Sequence, residues 1–200
     1  MADLGTLSML LALALAVYAA LGYLAAGRFG SHELAISARR SVYMSTVALA
    51  VASGALVYAF LTHDFSIEYV QGHSNRAMDP AYVWVAMYAG NEGSLLYIAL
   101  ALGVMASAAV YFAPARLAPA LPYVSAILMG TLAFFIGVTL LLASPFAPLG
   151  FSVDDGVGMN PVLRHPGMFI HPPLQMAGLV AVTIPFAFVI GALMAGQTRD

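Results

Sequence analysis

The sequence predicts an all-α protein that crosses a membrane about five times and carries two long extracytoplasmic loop segments. Of its 200 residues, 62% are hydrophobic and 8% are charged, whereas a soluble domain carries roughly 25% charged residues. The apolar residues also gather in runs of about 20, the length that a helix needs to cross a bilayer. Both observations favour a single membrane domain over residues 1–200, embedded in the lipid bilayer.

The apolar runs predict five transmembrane helices, which cover approximately residues 6–26, 42–61, 95–112, 123–143 and 174–195. A secretory signal peptide begins with a basic region and has a shorter apolar core than the first of these runs. Here Asp3 precedes the run and Arg28 follows it, so we expect a retained helix. The first loop is expected to hold five polar residues, namely Arg28, His32, Glu33, Arg39 and Arg40.

The distribution of arginine predicts the orientation, because cytoplasmic loops of membrane proteins carry an excess of basic residues. One side of the predicted stack holds Arg28, Arg39, Arg40, Arg116 and Arg199, and the other holds Arg76 and Arg164. This asymmetry puts the N-terminus outside and the C-terminus in the cytoplasm. The polar segments 63–91 and 144–171 then share the extracytoplasmic face, where Trp84 and the nearby tyrosines suit an interfacial aromatic belt.

The composition excludes several kinds of site. The chain has no cysteine, so disulfides, thiolate metal sites, cysteine catalysis and thioether attachment of haem to this chain are impossible. All seven basic residues are arginine, which excludes Schiff-base chemistry on a lysine. A net charge of −2 provides no basic surface for nucleic acid, which is therefore not expected as a partner.

One ionisable residue stands at the edge of an apolar run. Glu92 is followed by Gly93 and Ser94 at the predicted start of a helix. The free N–H groups and the dipole of a helix N-terminus favour a carboxylate, and an ionisable residue beside a membrane span is a functional candidate. The alternative is a simple helix anchor, although Gly90 and Gly93 permit a close backbone approach that an anchor does not need.

The longest polar interruption, residues 144–178, holds a histidine whose backbone two prolines restrict. His171 precedes Pro172 and Pro173 and stands directly before the last apolar run. Proline disfavours helical backbone in the residue before it and suits the first turn of a helix. We therefore expect His171 to be extended at the mouth of the next helix. Such an imidazole is a candidate ligand to haem iron, and an interfacial histidine that caps a helix is the alternative.

Other polar residues of the loop segments are weaker candidates. Arg164 and His165 precede His171 and are possible supports for a haem site, since a guanidinium pairs well with carboxylates; a solvated surface explains them equally well. Asp154 and Asp155 could bind Ca²⁺, but they lack a repeated pattern of oxygen ligands. The remaining histidines are expected to be solvated surface: His32, His63 and His73.

Five stretches of the chain together resemble one family. They are DFSIEYV (residues 64–70), HSN (73–75), GNEGSLLY (90–97), SPF (144–146) and MNPVLRHPGMFIHPPLQMAGLV (159–180). Their order and spacing are similar to the N-terminal portion of the haem lyase subunit of cytochrome c maturation systems, the CcmF/NrfE family. The resemblance covers roughly residues 1 to 195, and the blocks around Glu92 and His171 are its specific parts.

The resemblance implies a subunit that helps to hold haem, its implied cofactor, at the outer face of the inner membrane for covalent attachment to apocytochrome c. In the family, the histidine that matches His171 is an axial ligand to the haem iron. The family also uses a tryptophan-rich WWD segment and a second outward-facing histidine, which lie farther along its chain. Neither has a counterpart here, where Trp84 is the only tryptophan.

The resemblance therefore implies a split or truncated subunit that is not catalytic alone, and no catalytic residue is assigned. Its implied partners are the remaining part of the haem lyase on another chain, a haem chaperone, apocytochrome c and the subunits that handle its thiols. One alternative is a proton-coupled small-solute transporter that uses Glu92, although transporters bind near the bilayer midplane. The other is a structural membrane scaffold, from which haem binding would distinguish the first interpretation.

Overall fold

The computed structural model of the chain describes residues 1–197 and is almost entirely helical. The α-helices are α1 (Ala2–Phe29), α2 (His32–Leu61), α3 (Glu68–His73), α4 (Val83–Met87), α5 (Asn91–Phe112), α6 (Leu121–Leu142), α7 (His171–Ala181) and α8 (Thr183–Met194). Short 3₁₀ turns lie at Pro80–Tyr82, Ala115–Leu117, Pro161–Arg164 and Pro166–Phe169. Within residues 1–197 there is no β-strand, and Ile67 and Pro148 form an isolated bridge.

The predicted all-α membrane architecture is confirmed. Within the described chain, five helical segments are long and apolar enough to cross a bilayer. They are α1, α2, α5, α6 and the segment Pro166–Met194, which contains α7 and α8. The chain is therefore a multi-pass membrane protein.

The first loop is much shorter than predicted, since α2 already contains four of its five polar residues, His32, Glu33, Arg39 and Arg40. Gly30 ends α1 in the left-handed region, at φ 68°, which glycine adopts without steric cost. Ser31 begins α2, because its side-chain oxygen accepts the N–H of Leu34 at 3.3 Å, as an N-cap residue does. Polarity thus indicates where the apolar run begins, whereas the cap decides where the helix begins.

The fifth span consists of two helices because of Pro185. A proline inside a helix removes an N–H group, and its ring clashes with the carbonyl four residues earlier, which here belongs to Ala181. Accordingly, α7 ends at Ala181 and α8 begins at Thr183. On either side of this break the span has different neighbours, because α7 packs on α5 while α8 packs mainly on α6.

Small side chains bring the first helices close together. The buried face of α1 includes Gly5, Ser8, Ala12, Ala16 and Ala19, and α2 packs against it and against α5. In lipid, helices associate through such close packing and through interhelical hydrogen bonds. The hydroxyl of Ser45 donates to the carbonyl of Ala12 at 2.9 Å, and that of Thr46 donates to the carbonyl of Gly103 at 2.9 Å. Helix α2 is thus bonded to helices on both sides.

Both polar segments lie at one end of the bundle, which we term the loop face. The N–H of Glu68 donates to the carbonyl of Ala147 at 3.0 Å, and so joins the two segments. The N-terminus lies at the same end, where the amine of Met1 is 3.6 Å from the carboxylate of Asp64. The opposite end holds the short turn between α1 and α2 and the connection between α5 and α6.

The excess of arginine at the opposite end predicts that the loop face is extracytoplasmic; Arg199, one of the arginines counted, lies outside the described residues. Because the chain has no cysteine, single cysteines report accessibility without background. At the exposed positions of the loop face, Ala77→Cys and Val162→Cys should react with an impermeant maleimide in intact spheroplasts. His32→Cys should react only after permeabilisation. The reverse pattern of labelling would reverse the orientation.

Candidate functional site

The loop face is organised around the buried hydroxyl of Tyr69 in α3. Its oxygen lies 3.1 Å from the carbonyl oxygen of Ala86 and accepts the N–H of Gly90 at 3.0 Å. Burial raises the pKa of this hydroxyl, so it stays protonated and can donate to Ala86 while it accepts from Gly90. Tyr69 therefore holds the turn between α4 and α5, which carries the motif GNEGS (residues 90–94).

Gly93 allows α5 to begin directly against the end of α4. A Cβ atom at this position would overlap the backbone carbonyl of Met87 and lie 2.5 Å from the hydroxyl oxygen of Tyr69. Ser94 completes the junction, because its hydroxyl donates to the carbonyl of Tyr88 at 2.9 Å. Gly93 and Ser94 thus fix how α4 meets α5.

Glu92 lies in the first turn of α5, and its carboxylate lies near His73 without forming an ion pair with it. Nε2 of His73 and Oε2 of Glu92 lie 2.9 and 3.0 Å from the position that a Cβ on Gly90 would occupy, so both side chains converge above this glycine. Nδ1 of His73 is 2.9 Å from the carbonyl oxygen of Tyr69. Since a carbonyl oxygen only accepts, Nδ1 carries a proton. Nε2 is the nitrogen of His73 that lies next to Gly90.

A cleft of about 360 Å³ opens beside this pair, where α3, α5 and the end of α6 meet. Its walls include Glu68, Leu142 and Ser144. Within the described residues, the structure contains no group of three or more metal-ligating side chains that could hold a metal ion. The positive end of the α5 dipole offers a favourable charge to the carboxylate of Glu92.

Two histidines of the first loop segment are less exposed than predicted. His73 is half-buried on the ring of Tyr69, with ring centroids 4.4 Å apart. His63 is also half-buried, in a left-handed backbone conformation at φ 53°, and its ring centroid lies 5.8 Å from that of Phe65. His32 is exposed at the start of α2. His73 packs on Tyr69 next to Gly90, whereas His63 lines a cavity together with residues 149–153 of the second segment. Local polarity does not show these contacts.

His171 is the first residue of α7, which corrects the extended conformation expected for it. The chain turns one residue earlier, at Ile170, and the N–H of Leu174 closes the first helical turn on the carbonyl of Ile170 at 3.1 Å. Pro172 and Pro173 occupy the next positions, where a helix needs no N–H donor. The fit of the two prolines to the first turn of α7 therefore outweighs the preference of the residue before a proline for extended backbone. The imidazole is exposed and has no hydrogen bond within residues 1–197.

Four aromatic side chains hold the backbone around His171, and we term them the aromatic clamp. Each donates to a carbonyl oxygen: Tyr82 to Arg164 at 3.2 Å, Trp84 to Phe169 at 3.4 Å, Tyr88 to Met168 at 2.7 Å, and Tyr97 to Pro173 at 3.2 Å. Sequence reasoning missed these contacts and assigned the aromatic residues to an interfacial belt. Their density within residues 82–97 was a signal, but their partners lie far along the chain.

Arg164 ends the first of the two 3₁₀ turns before α7, and His165 lies between these turns. Nδ1 of His165 accepts the N–H of Gly167 at 3.0 Å, so this imidazole caps the turn Pro166–Phe169. The guanidinium of Arg164 is exposed, and no carboxylate of the described residues lies within ion-pair distance of it. Arg164 and His171 are therefore available to a ligand, whereas one nitrogen of His165 serves the local backbone.

Asp155 ties the second loop segment to the first. Its carboxylate accepts the N–H groups of Arg76 and Gly156, each at 2.8 Å, and these hydrogen bonds lower its pKa. Nε of Arg76 also donates to the carbonyl of Asp154 at 2.9 Å. These contacts account for the position of Asp155 without a bound Ca²⁺.

The chain is similar over nearly its whole length to proteins of cytochrome c-type biogenesis. It is 37% identical to the cytochrome c-type biogenesis protein CcmF of Pseudomonas aeruginosa, over 98% of the chain and 30% of that relative. It is 31% identical to the cytochrome c-type biogenesis protein NrfE of Haemophilus influenzae, over 78% of the chain and 25% of that relative. The solved structure of the cytochrome c haem lyase CcmF superposes with a TM-score of 0.82 at 31% identity, over 98% of the chain and 31% of the solved one.

No family model matches the chain. The chain spans about 30% of the length of the curated CcmF relatives that it matches. The similarity therefore describes one part of those longer proteins.

Gly93→Ala should destabilise the loop face, because the added methyl group must displace both the carbonyl of Met87 and the hydroxyl of Tyr69. Overpacking of this kind costs about 1–3 kcal/mol, which should lower the thermal unfolding midpoint of the detergent-purified chain. The matched control is Gly130→Ala in α6, where a Cβ would meet no atom within 4 Å. Equal stability of the two variants would contradict the close contact at Gly93.

Glu92→Gln should weaken the start of α5, since a carboxylate at a helix N-terminus contributes about 0.3–1 kcal/mol when exposed and up to ~2 kcal/mol when partly buried. Glu33→Gln, in the first turn of α2, is the control that loses the dipole interaction alone. If Glu92→Gln lowers the unfolding free energy more than Glu33→Gln does, a double-mutant cycle with His73→Ala tests the origin of the difference. Non-additive effects would assign the additional loss to the interaction with His73. Equal losses and additive effects would make Glu92 a plain helix anchor.

Proposed function

The chain is homologous to the amino-terminal part of the CcmF and NrfE cytochrome c-type biogenesis proteins, and on this basis we propose that it is a subunit of a haem lyase complex. In this proposal it helps to hold haem at the loop face for covalent attachment to apocytochrome c. The observation that carries the proposal is the imidazole of His171. It is exposed, it is free of hydrogen bonds within the described chain, and it stands on a segment that the aromatic clamp fixes.

The surroundings of His171 fit a haem group. Imidazole is a common ligand of haem iron, and the residues beside this one are apolar and open. Ile170 is 64% exposed, Leu174 is 66% exposed, and Trp84 of the clamp is 43% exposed. This apolar surface beside the imidazole suits the apolar face of a haem group. The free guanidinium of Arg164 suits a propionate carboxylate.

The residues have simple tasks in this proposal. His171 binds the iron through an imidazole nitrogen and so orients the macrocycle, while Ile170 and Leu174 keep water from its apolar face. Arg164 pairs with a propionate. When bound, haem supplies the vinyl groups that accept the cysteine thiols of apocytochrome c. The chain itself has no cysteine, so it forms no thioether of its own, and we assign it no acid, base or independent catalytic activity.

The proposal includes partners that act on the same face. The segment would act together with the rest of the haem lyase, and a haem chaperone would deliver haem to His171. Apocytochrome c and the subunits that handle its thiols would approach the loop face, which is then the extracytoplasmic side of the inner membrane. The full activity belongs to this complex.

Two other functions are less well supported. A proton-coupled solute transporter would use Glu92 near the bilayer midplane, but Glu92 lies in the first turn of α5 at the loop face. A structural scaffold that binds no haem shares every membrane feature with the proposed subunit. Haem binding by the assembled complex distinguishes the scaffold from the proposal.

His171→Ala should abolish cytochrome c maturation and lower the haem recovered with the complex reassembled from this chain and its partners. The reason is the loss of the iron ligand, since the substitution lies at an exposed position. Haem per complex is measured as the pyridine haemochrome. Unchanged thermal unfolding of the chain and unchanged partner binding show that the effect is local.

His165→Ala is the matched control, because it removes another exposed imidazole of the same segment. It should weaken the cap of one 3₁₀ turn but leave the haem content near that of the unsubstituted complex. Loss of haem in His165→Ala with retention in His171→Ala would move the ligand six residues upstream. If neither substitution changes haem content or maturation, the scaffold function replaces the proposal.

A further inference from the structure

We propose that Tyr88 and Tyr97 are positioning residues for the iron ligand: their hydroxyls fix the backbone on both sides of His171 and so set the orientation of its imidazole. This inference rests on the proposed function, because it assigns the two tyrosines a role in haem ligation. It also adds a source of rigidity, since a proline restrains only its own backbone and that of the residue before it.

The two hydrogen bonds bracket His171 in the sequence. The hydroxyl of Tyr88 donates to the carbonyl of Met168 at 2.7 Å, three residues before the histidine. The hydroxyl of Tyr97 donates to the carbonyl of Pro173 at 3.2 Å, two residues after it. Both donors belong to the stretch that runs from α4 into α5, so the segment before α7 and the first turn of α7 are bonded to the same support.

The segment around His171 needs donors from elsewhere. Pro166, Pro172 and Pro173 have no N–H group, so three of the residues from 166 to 173 cannot donate to a carbonyl. Backbone carbonyls that leave water must still be satisfied. Met168 is half-buried, and the hydroxyl of Tyr88 supplies the hydrogen bond that its carbonyl needs. The prolines thus make the segment stiff and dependent on side-chain donors at the same time.

The rings of the clamp hold one another in place. The ring centroid of Trp84 lies 5.7 Å from that of Tyr88 and 6.4 Å from that of Tyr97, and the two tyrosine rings are 6.1 Å apart. The first two pairs are edge-to-face, a favourable arrangement for aromatic rings. Because each ring limits the rotation of the others, the hydroxyls of Tyr88 and Tyr97 are held in the direction of the backbone around His171.

Tyr88 is itself fixed by the GNEGS motif. The hydroxyl of Ser94 donates to the carbonyl of Tyr88 at 2.9 Å, and Tyr69 holds the N–H of Gly90 two residues later. Burial raises the pKa of Tyr88 to about 12, so its hydroxyl remains a donor at physiological pH. A continuous series of contacts therefore connects the motif around Glu92 to the backbone before His171.

The test uses Tyr88→Phe, Tyr97→Phe and the double variant, which keep the rings and remove only the hydroxyls. Tyr111→Phe is the matched control, because Tyr111 lies at the far end of α5 and its hydroxyl has no hydrogen bond within the described chain. The first measurement is amide hydrogen exchange of residues 167–174 in the chain reconstituted in nanodiscs, without haem. Each hydroxyl removed should speed exchange there roughly fivefold, the effect of one net hydrogen bond.

The second measurement uses the complex reassembled with its partners and loaded with haem. At equal haem per complex, Tyr88→Phe and Tyr97→Phe should broaden and shift the electron paramagnetic resonance signals of the ferric iron and change its midpoint potential. General loss of stability would lower haem content but would not alter these signals at equal loading. If Tyr88→Phe does not fold, Tyr97→Phe tests the other side of the bracket independently.

The outcomes separate the two proposals. Faster exchange together with altered iron signals, absent in Tyr111→Phe, supports the positioning role. Unchanged exchange and unchanged signals, while His171→Ala loses haem, overturn the positioning role and leave the proposed function intact. Retention of haem by His171→Ala overturns both, because the ligand that the tyrosines are proposed to orient would not be a ligand.

Discussion

The loop face of this protein depends on one buried hydroxyl, that of Tyr69. It accepts the N–H of Gly90 and lies within hydrogen-bond distance of the carbonyl of Ala86, so it fixes the turn between α4 and α5. A buried polar group needs such partners, because an unpaired one costs about 1–3 kcal/mol. Gly93 and Tyr88 take their positions from this turn. Tyr88 in turn bonds the backbone before His171. A single satisfied hydroxyl is thus the first link in the series of contacts that ends at the exposed imidazole.

The two polar segments form one surface because one lacks hydrogen-bond donors and the other supplies them. The segment before α7 is rich in proline and short of N–H donors. The stretch from Tyr82 to Tyr97 is rich in aromatic side chains that donate hydrogen bonds to that segment. At a membrane surface, water does not reach every backbone carbonyl. The aromatic donors therefore supply hydrogen bonds to carbonyl groups that water does not reach. This arrangement also leaves the side chains of Arg164 and His171 free, since the hydrogen bonds of the clamp go to carbonyl oxygens.

The membrane part supports this surface through close packing of its helices. Alanine and glycine line the contact between α1 and α2, and hydroxyls of α2 bond to neighbouring helices on either side. Pro185 divides the last span, so that α7 can pack on α5 beside the aromatic clamp while α8 packs on α6. The position of His171 at the start of α7 is therefore set both by the aromatic clamp at the loop face and by the packing of α7 on α5.

The sequence by itself determined the number of spans, the helix start at Glu92 and the presence of an imidazole at the mouth of the last span. Hydropathy and proline and glycine placement are local properties, and they report directly on these features. Tertiary structure decided the rest. His171 is helical because the first turn of α7 tolerates two prolines, His73 is half-buried because α3 folds onto α5, and the aromatic clamp joins residues that stand far apart in the chain. Contacts of that kind leave no periodic pattern in a sequence, since each depends on where another segment has already been placed.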